Sequence, residues 1–110
     1  ITGQMIEQGR IFDSFYGLLL HEIWSVRLGA MVVVEQLAED SPDLAGRLCD
    51  RLAAAFKDKD ATIQGDILYA LGEAGNPETV TVINQLMENI DDDDLKEAAA
   101  EAVESIRDRC

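Results

Sequence analysis

Apolar residues between positions 60 and 90 recur at helical spacing in two consecutive stripes, each of which predicts an amphipathic helix. In the first stripe the offsets are 0, 4, 7, 8 and 11, so its members share one face of a helix. Between the stripes, Asn76 suits a helix N-cap and Pro77 the first helical position. We expect Gly72 and Gly75 to supply the positive φ of a helix C-cap. The two stripes comprise Ile63, Ile67, Ala70, Leu71 and Ala74, and then Val80, Ile83, Leu86, Met87 and Ile90.

The same five offsets occur again before and after this predicted helical hairpin. The three patterns start at Val26, Ile63 and Leu95, which are 37 and 32 residues apart. Periods in this range are typical of helical solenoids, in which each hairpin buries its apolar face on its neighbours. Ser41 and Pro42 take the positions of Asn76 and Pro77. The flanking stripes comprise Val26, Ala30, Val33, Val34 and Leu37, then Leu44, Leu48, Leu52 and Phe56, and finally Leu95, Ala99, Ala102, Val103 and Ile106.

These repeats predict an all-α chain that forms a single helical domain over residues 1–110. We divide it into a helical N-terminal cap (1–23), a first repeat (24–57), a second repeat (60–90) and half a repeat (94–109). The apolar stripe of the half repeat either packs back on the second repeat or awaits a further repeat. Residues 31–34 are apolar almost all round the predicted helix, which indicates a central helix with neighbours on several sides.

The N-terminal 23 residues do not follow the repeat, and most of the aromatic residues lie in or next to them. A short helix over Thr2–Gln8 is predicted to end at Gly9, and a broad apolar face follows it. We interpret this region as a cap over the open end of the first repeat. The alternative is a small-molecule pocket lined by Phe12, Tyr16 and Trp24.

Composition and charge restrict the kind of partner that the chain could bind. The net charge is −13, of which residues 1–60 contribute −4 and residues 61–110 contribute −9. Such a surface repels phosphate backbones and anionic bilayers, so we expect neither nucleic acid nor membrane as a partner. A basic protein partner is compatible with it. Two cysteines are too few for a disulfide scaffold; Cys49 is predicted to be a packed thiol, and a bridge from it to Cys110 stays open. A reducing, cytoplasmic setting is the default.

Four consecutive aspartates at positions 91–94 are the sharpest local feature, and a helix cap explains them better than a cation site. A calcium loop alternates its ligands and bends at a glycine, and no glycine occurs here. Asp94 and Glu97 instead match a capping box for the last helix, and Asp60 is a candidate N-cap for the helix that follows it. His21 and Glu22 lack the second histidine of a zinc motif. We therefore predict no catalytic residues, no metal and no cofactor, and a chain that is not an enzyme.

The pattern over residues 63–80, IQGDILYALGEAGNPETV, resembles a HEAT-like repeat. It is most similar to the short bacterial type also found in phycobilisome-lyase-like repeat proteins. Gln64 departs from that pattern where the family often has Arg, whereas Arg27 keeps the Arg in the first repeat. The resemblance implies an α-α superhelix, a short solenoid of antiparallel helical hairpins, that acts as a non-catalytic protein-protein interaction or scaffold module.

In HEAT-like proteins the second helices of successive hairpins usually line the concave side, which implies a set of partner-binding residues here. That set comprises Arg47, Asp50, Arg51, Thr81, Asn84, Gln85 and Glu88. The order of an irregular helical lead followed by repeats also resembles the C-terminal helical part of bacterial proteins that begin with a thioredoxin-like domain. By that resemblance the chain would be an accessory domain of a larger redox protein, and its partner would be another domain of the same chain.

Overall fold

Every regular element in residues 2–109, the part of the chain that the computed structural model describes, is a helix. The prediction of an all-α chain is therefore confirmed. A short 3₁₀ turn, Phe56–Asp58, extends the fourth helix. The seven α-helices are α1 (Thr2–Gln8), α2 (Asp13–Leu19), α3 (Trp24–Asp40), α4 (Pro42–Ala55), α5 (Ala61–Ala74), α6 (Pro77–Met87) and α7 (Asp93–Arg109).

The helices pack around one continuous apolar core. Helix α5 lies between α3 and α7 and contacts both, while α4 and α6 contact each other and also touch α5. The molecule measures 40 × 32 × 19 Å. The apolar stripes predicted from the sequence face inward, because Leu48, Ile67, Leu71 and Ile106 are all almost fully buried.

Helix α7 packs back on the preceding hairpin, which decides between the two alternatives left open for its apolar stripe. It contacts α5 and α6, and its apolar positions Leu95, Ala99, Ala102 and Ile106 are buried there. At its end, the Arg109 guanidinium donates hydrogen bonds to the backbone oxygens of Gly72 (2.7 Å) and Gly75 (2.8 Å). These contacts satisfy carbonyl groups that the last turn of α5 leaves without a helical partner.

The N-caps predicted for α5 and α6 are confirmed. The Asp60 carboxylate accepts a hydrogen bond from the Ile63 N–H at 3.0 Å. The Asn76 side chain accepts from the N–H groups of Glu78 and Thr79, and the Thr79 hydroxyl accepts from the Asn76 N–H at 3.1 Å. This reciprocal capping box fixes the sharp turn between the two helices.

Of the other two cap predictions, the one for Ser41 is confirmed in position and the one for Asp94 is wrong. Ser41 occupies the N-cap position of α4, but its side chain accepts no capping hydrogen bond within residues 2–109. For α7 the capping carboxylate is that of Asp92, which accepts from the N–H groups of Asp94 (2.9 Å) and Leu95 (3.2 Å). Asp94 therefore lies inside the helix. Each of the consecutive aspartates has a carboxylate that could cap a helix. The burial of Leu95 against the core decides which of them stands at the N-cap of α7.

Gly72 and Gly75 are required for space and not for a positive φ, so that prediction is wrong. Gly75 has a φ of −80°, and within residues 2–109 the positive φ belongs to Gly9, at 67°, directly after α1. Gly72 lies inside α5, where a Cβ atom would stand 2.8 Å from the Cα atom of Ala102 on α7. At Gly75 a Cβ atom would stand 2.4 Å from the Leu71 oxygen.

The close contact at Gly72 leads to a prediction for a matched pair of substitutions in α5. Gly72→Ala should lower the free energy of unfolding by about 1–3 kcal/mol, because overpacking against the α7 backbone outweighs the gain in helix propensity. Gly65→Ala should raise it by about 0.5–1 kcal/mol, since a Cβ atom there meets no atom within 4 Å. Urea unfolding of both variants measures the difference. Stabilisation by both substitutions would contradict the close approach of α5 and α7.

Candidate interaction surface

Two arginines of the predicted partner-binding set are engaged within the chain. The Arg47 guanidinium donates a hydrogen bond to the Gly9 oxygen at 3.0 Å. The Arg51 guanidinium donates to the Asp13 carboxylate at 2.7 Å and lies 4.0 Å from the centre of the Tyr16 ring. The hydrogen bond from Arg51, followed by its charge, lowers the pKa of Asp13. Both arginines therefore hold the N-terminal segment against α4.

The other members of that set are exposed on α4 and on α6 as far as its C-cap. Asp50 and Arg47 line a polar groove of about 270 Å³ between the first halves of α4 and α6. Gln85 and Glu88 line a wider groove of about 540 Å³ between the later parts of the same helices. Val82 lies at the border of both grooves. The remaining members, Thr81 and Asn84, are exposed on α6. Their role in binding a partner stays a prediction.

The three aromatic residues of the alternative ligand pocket lie in different surroundings. Tyr16 is buried beneath the Arg51 guanidinium, and the Phe12 ring lies beneath Arg10 at 5.2 Å. Trp24, at the start of α3, is 65% exposed and lines a groove between α3 and α5. The structure therefore does not bring the three rings together in one pocket.

An exposed apolar strip runs along the outer side of α3. It consists of Trp24, Leu28 and Val32, which recur every fourth residue and are 65%, 52% and 62% exposed. Tyr69 of α5, 48% exposed, faces it across a groove of about 250 Å³. We call Trp24, Leu28 and Val32 the α3 strip. Large apolar side chains that are exposed in one continuous patch mark interaction sites more often than isolated ones do.

Helix α3 contacts α1, α2, α4 and α5, so the prediction that it has neighbours on several sides is confirmed, but the α3 strip shows that one of its faces is uncovered within residues 2–109. Met31 and Val34 are buried, but Val32 faces outward on a side that no element of residues 2–109 covers. A helix that is apolar all round is either surrounded by neighbours or carries an unpartnered apolar face, and its sequence looks the same in both cases. The spacing of Trp24, Leu28 and Val32 was the available signal for a second apolar face.

A buried arginine forms the floor of the groove beside the α3 strip. Arg27 is 2% exposed, and its Nε donates to the Asp66 carboxylate of α5 at 2.5 Å. One of its terminal nitrogens also donates to the backbone oxygens of His21 (2.7 Å) and Glu22 (3.0 Å), just before α3. Gln64, which follows Ile63 as Arg27 follows Val26 in the sequence pattern, donates to the Phe56 oxygen before α5 at 2.9 Å. Both side chains thus tie a helix to the turn that precedes it.

Glu35 of α3 and Asp66 of α5 place carboxylates on both sides of the groove. The Tyr69 hydroxyl donates a hydrogen bond to the Glu35 carboxylate at 2.9 Å. That hydrogen bond is the main reason why the pKa of Tyr69 is raised to about 12, with smaller contributions from desolvation and from the negative charges of Glu73 and Glu35. Tyr69 is therefore neutral at physiological pH and acts as a hydrogen-bond donor that orients Glu35 along the groove.

The cysteine and the histidine within residues 2–109 are both accounted for by packing or by a backbone contact. Burial is the main cause that raises the pKa of the Cys49 thiol to about 12, so it stays protonated and unreactive. Cys110 lies outside the described residues, so the bridge to Cys49 remains open. His21 is exposed, and its Nδ1 accepts a hydrogen bond from the Ile23 N–H at 3.0 Å. Within residues 2–109, no three His, Cys, Asp or Glu side chains lie close enough together to hold a metal ion.

Comparisons with known proteins give no match for this chain among protein-family models, curated protein sequences or solved structures. Across residues 2–109, none of the helices combines the length and the apolarity that crossing a bilayer requires.

Proposed function

We propose that this chain is a non-catalytic protein-interaction module and that the α3 strip is its binding surface. The observation that carries the proposal is the line of Trp24, Leu28 and Val32, each more than half exposed on one side of a single helix. Full burial of an apolar side chain contributes about 1.5–3 kcal/mol, and because these three are already partly buried, a partner would recover roughly half of that from each. Exposed tryptophans that become buried are also among the residues that contribute most to protein interfaces.

A HEAT-like solenoid is part of this proposal. On that interpretation α3–α4 and α5–α6 are two successive hairpins, and α7 is the first helix of a third. Three features support it: the side-by-side contacts of α3, α5 and α7, the contact between α4 and α6, and the matching roles of Arg27 and Gln64. We propose a cytoplasmic setting for the module, which the protonated, buried thiol of Cys49 suits.

The second candidate is an accessory domain of a larger, thioredoxin-like redox protein. It draws on the same α3 strip, because an interface between two domains of one chain also buries apolar surface. In that case the strip would be covered by a neighbouring domain. A Cys-x-x-Cys motif in residues that precede Ile1 in a longer chain would support this candidate.

A matched pair of surface variants tests the proposed binding surface. Leu28→Ser removes an apolar side chain that is 52% exposed from the α3 strip, and Leu18→Ser removes one that is 41% exposed from α2. The domain and both variants are immobilised, and proteins are captured from the lysate of the native cells. We expect the wild type and Leu18→Ser to capture the same protein and Leu28→Ser to lose it. Equal capture by all three would contradict the α3 strip as the binding surface, and no capture by any would favour the accessory-domain candidate.

A further inference from the structure

The groove beside the α3 strip combines apolar side chains with a carboxylate on each of the two helices that form it. Glu35 and Asp66 line it, and Arg27 is the cation among its lining residues in the described chain. Because Arg27 is 2% exposed and donates three hydrogen bonds within the protein, its charge is balanced before any partner arrives. Beyond Tyr69, two further carboxylates, those of Glu73 and Glu101, line the adjoining groove between α5 and α7.

The setting of the α3 strip favours a helix over an extended peptide as its occupant. Trp24, Leu28 and Val32 span nine residues of α3, a rise of about 12 Å or roughly two helical turns. The groove runs between two helices, and within residues 2–109 there is no strand whose edge could pair with an extended chain. A helix laid in such a groove inserts apolar side chains at every third or fourth position.

We propose that the α3–α5 groove binds an amphipathic helix whose apolar side chains cover Trp24, Leu28 and Val32 and whose flanking lysines or arginines face Glu35, Glu73 and Glu101. This inference rests on the proposed function, since it takes the α3 strip to be a binding surface, and it adds the chemistry of the partner. Basic residues beside the apolar ones contribute specificity and a faster association rate. Their attraction to the carboxylates weakens as salt is added.

Other occupants of the groove fit its charge less well. A second copy of the chain carries the same net charge of −13 and would bring the same carboxylates to the interface. Anionic lipids and nucleic acids are repelled for the same reason. An acidic amphipathic helix would satisfy the apolar side chains but would set like charges opposite Glu35 and Glu73.

Three synthetic peptides of about 16 residues, roughly four helical turns, test the proposal. The first has leucine at positions i, i+4 and i+8 with lysine on both sides of that stripe. The second replaces every lysine with glutamate, and the third scrambles the first. Trp24 is the single tryptophan of the chain, so its emission reports directly on the groove. We expect the lysine peptide to shift Trp24 emission to shorter wavelength. It should bind at least about tenfold more tightly than either control peptide, and this difference in affinity should fall at high salt.

Two variants separate binding in the groove from general attraction to an acidic protein. Leu28→Asp and Leu18→Asp add the same charge, so any general attraction of the lysine peptide to negative charge is the same in both. We expect Leu28→Asp to weaken the binding of the lysine peptide about tenfold or more and Leu18→Asp to leave it unchanged. Equal binding by both variants, or equal binding of the lysine and glutamate peptides, would overturn the proposal.

Failure of this inference can be told apart from failure of the proposed function. If Leu28→Ser loses a captured protein while the lysine peptide does not bind, the α3 strip is a binding surface and the partner is not a basic helix. If Leu28→Ser keeps every captured protein and the lysine peptide leaves Trp24 emission unchanged, the proposed function and the inference about its partner are both wrong.

Discussion

Replacing Leu71 with aspartate is expected to unfold the domain. Leu71 is fully buried in the last turn of α5, the helix that contacts α3, α4 and α7. The substitution loses about 2–3 kcal/mol of apolar burial and places a carboxylate among apolar side chains, which costs several kcal/mol more. The whole free energy of unfolding of a domain of this size is about 5–15 kcal/mol. Far-ultraviolet circular dichroism at 25 °C should show a largely unfolded or much less stable chain.

Leu28→Asp is the control for this prediction, because it makes the same chemical change at an exposed position of α3. Leu28 is 52% exposed, so its aspartate stays hydrated, and we expect the free energy of unfolding to change by no more than about 1 kcal/mol. Near-native stability of Leu71→Asp would show that the helical register deduced for α5 is wrong.

The second large effect is expected when Arg27 is replaced by methionine. The variant keeps the apolar stem but leaves the Asp66 carboxylate and the His21 and Glu22 carbonyls without their donor. Removing one partner of a buried ion pair costs about 3–5 kcal/mol, because the other charge remains unpaired. The Asp66 side chain is 35% exposed, so water compensates in part, and we expect about 2–3 kcal/mol. Urea unfolding monitored through Trp24 fluorescence, next to the site, measures the loss.

Arg51→Met provides the comparison for Arg27→Met. The Arg51–Asp13 pair has almost the same length, but its side chains are 54% and 83% exposed. Exposed pairs of this kind contribute about 0–1 kcal/mol, so the variant should unfold close to the wild type. If both variants lose the same small amount of stability, Arg27 is not the cross-link between α3 and α5 that its burial indicates.

The candidate interaction surface lies on α3 and α5, whereas the resemblance to HEAT-like repeats pointed to α4 and α6. On α4, the arginines of the predicted set contact Gly9 and Asp13 and hold the N-terminal helices in place. On α3, by contrast, Trp24 and Val32 are more than 60% exposed, with nothing in residues 2–109 to cover them. The partner-binding residues predicted on α6 remain a separate hypothesis, which substitutions at Gln85 and Glu88 would test.

The sequence by itself determined the helices, their main caps and most of the core. These features follow from local rules: a stripe such as Ile63, Ile67 and Leu71 must be buried somewhere, and Asn76 before Pro77 ends one helix and begins another. Each depends on residues that are close along the chain, so periodicity and capping chemistry are sufficient to predict them.

Only the tertiary structure decided which apolar face stays exposed, why Gly72 is a glycine and what Arg27 binds. Each of these depends on a neighbour distant in sequence: Ala102 crowds Gly72, Asp66 pairs with Arg27 across 39 residues, and Val32 is exposed because no helix packs over it. Apolar periodicity is the same whether a helical face meets protein or water. For that reason the all-round apolar stretch of α3 predicted burial, and the fold turned part of it into the candidate binding surface.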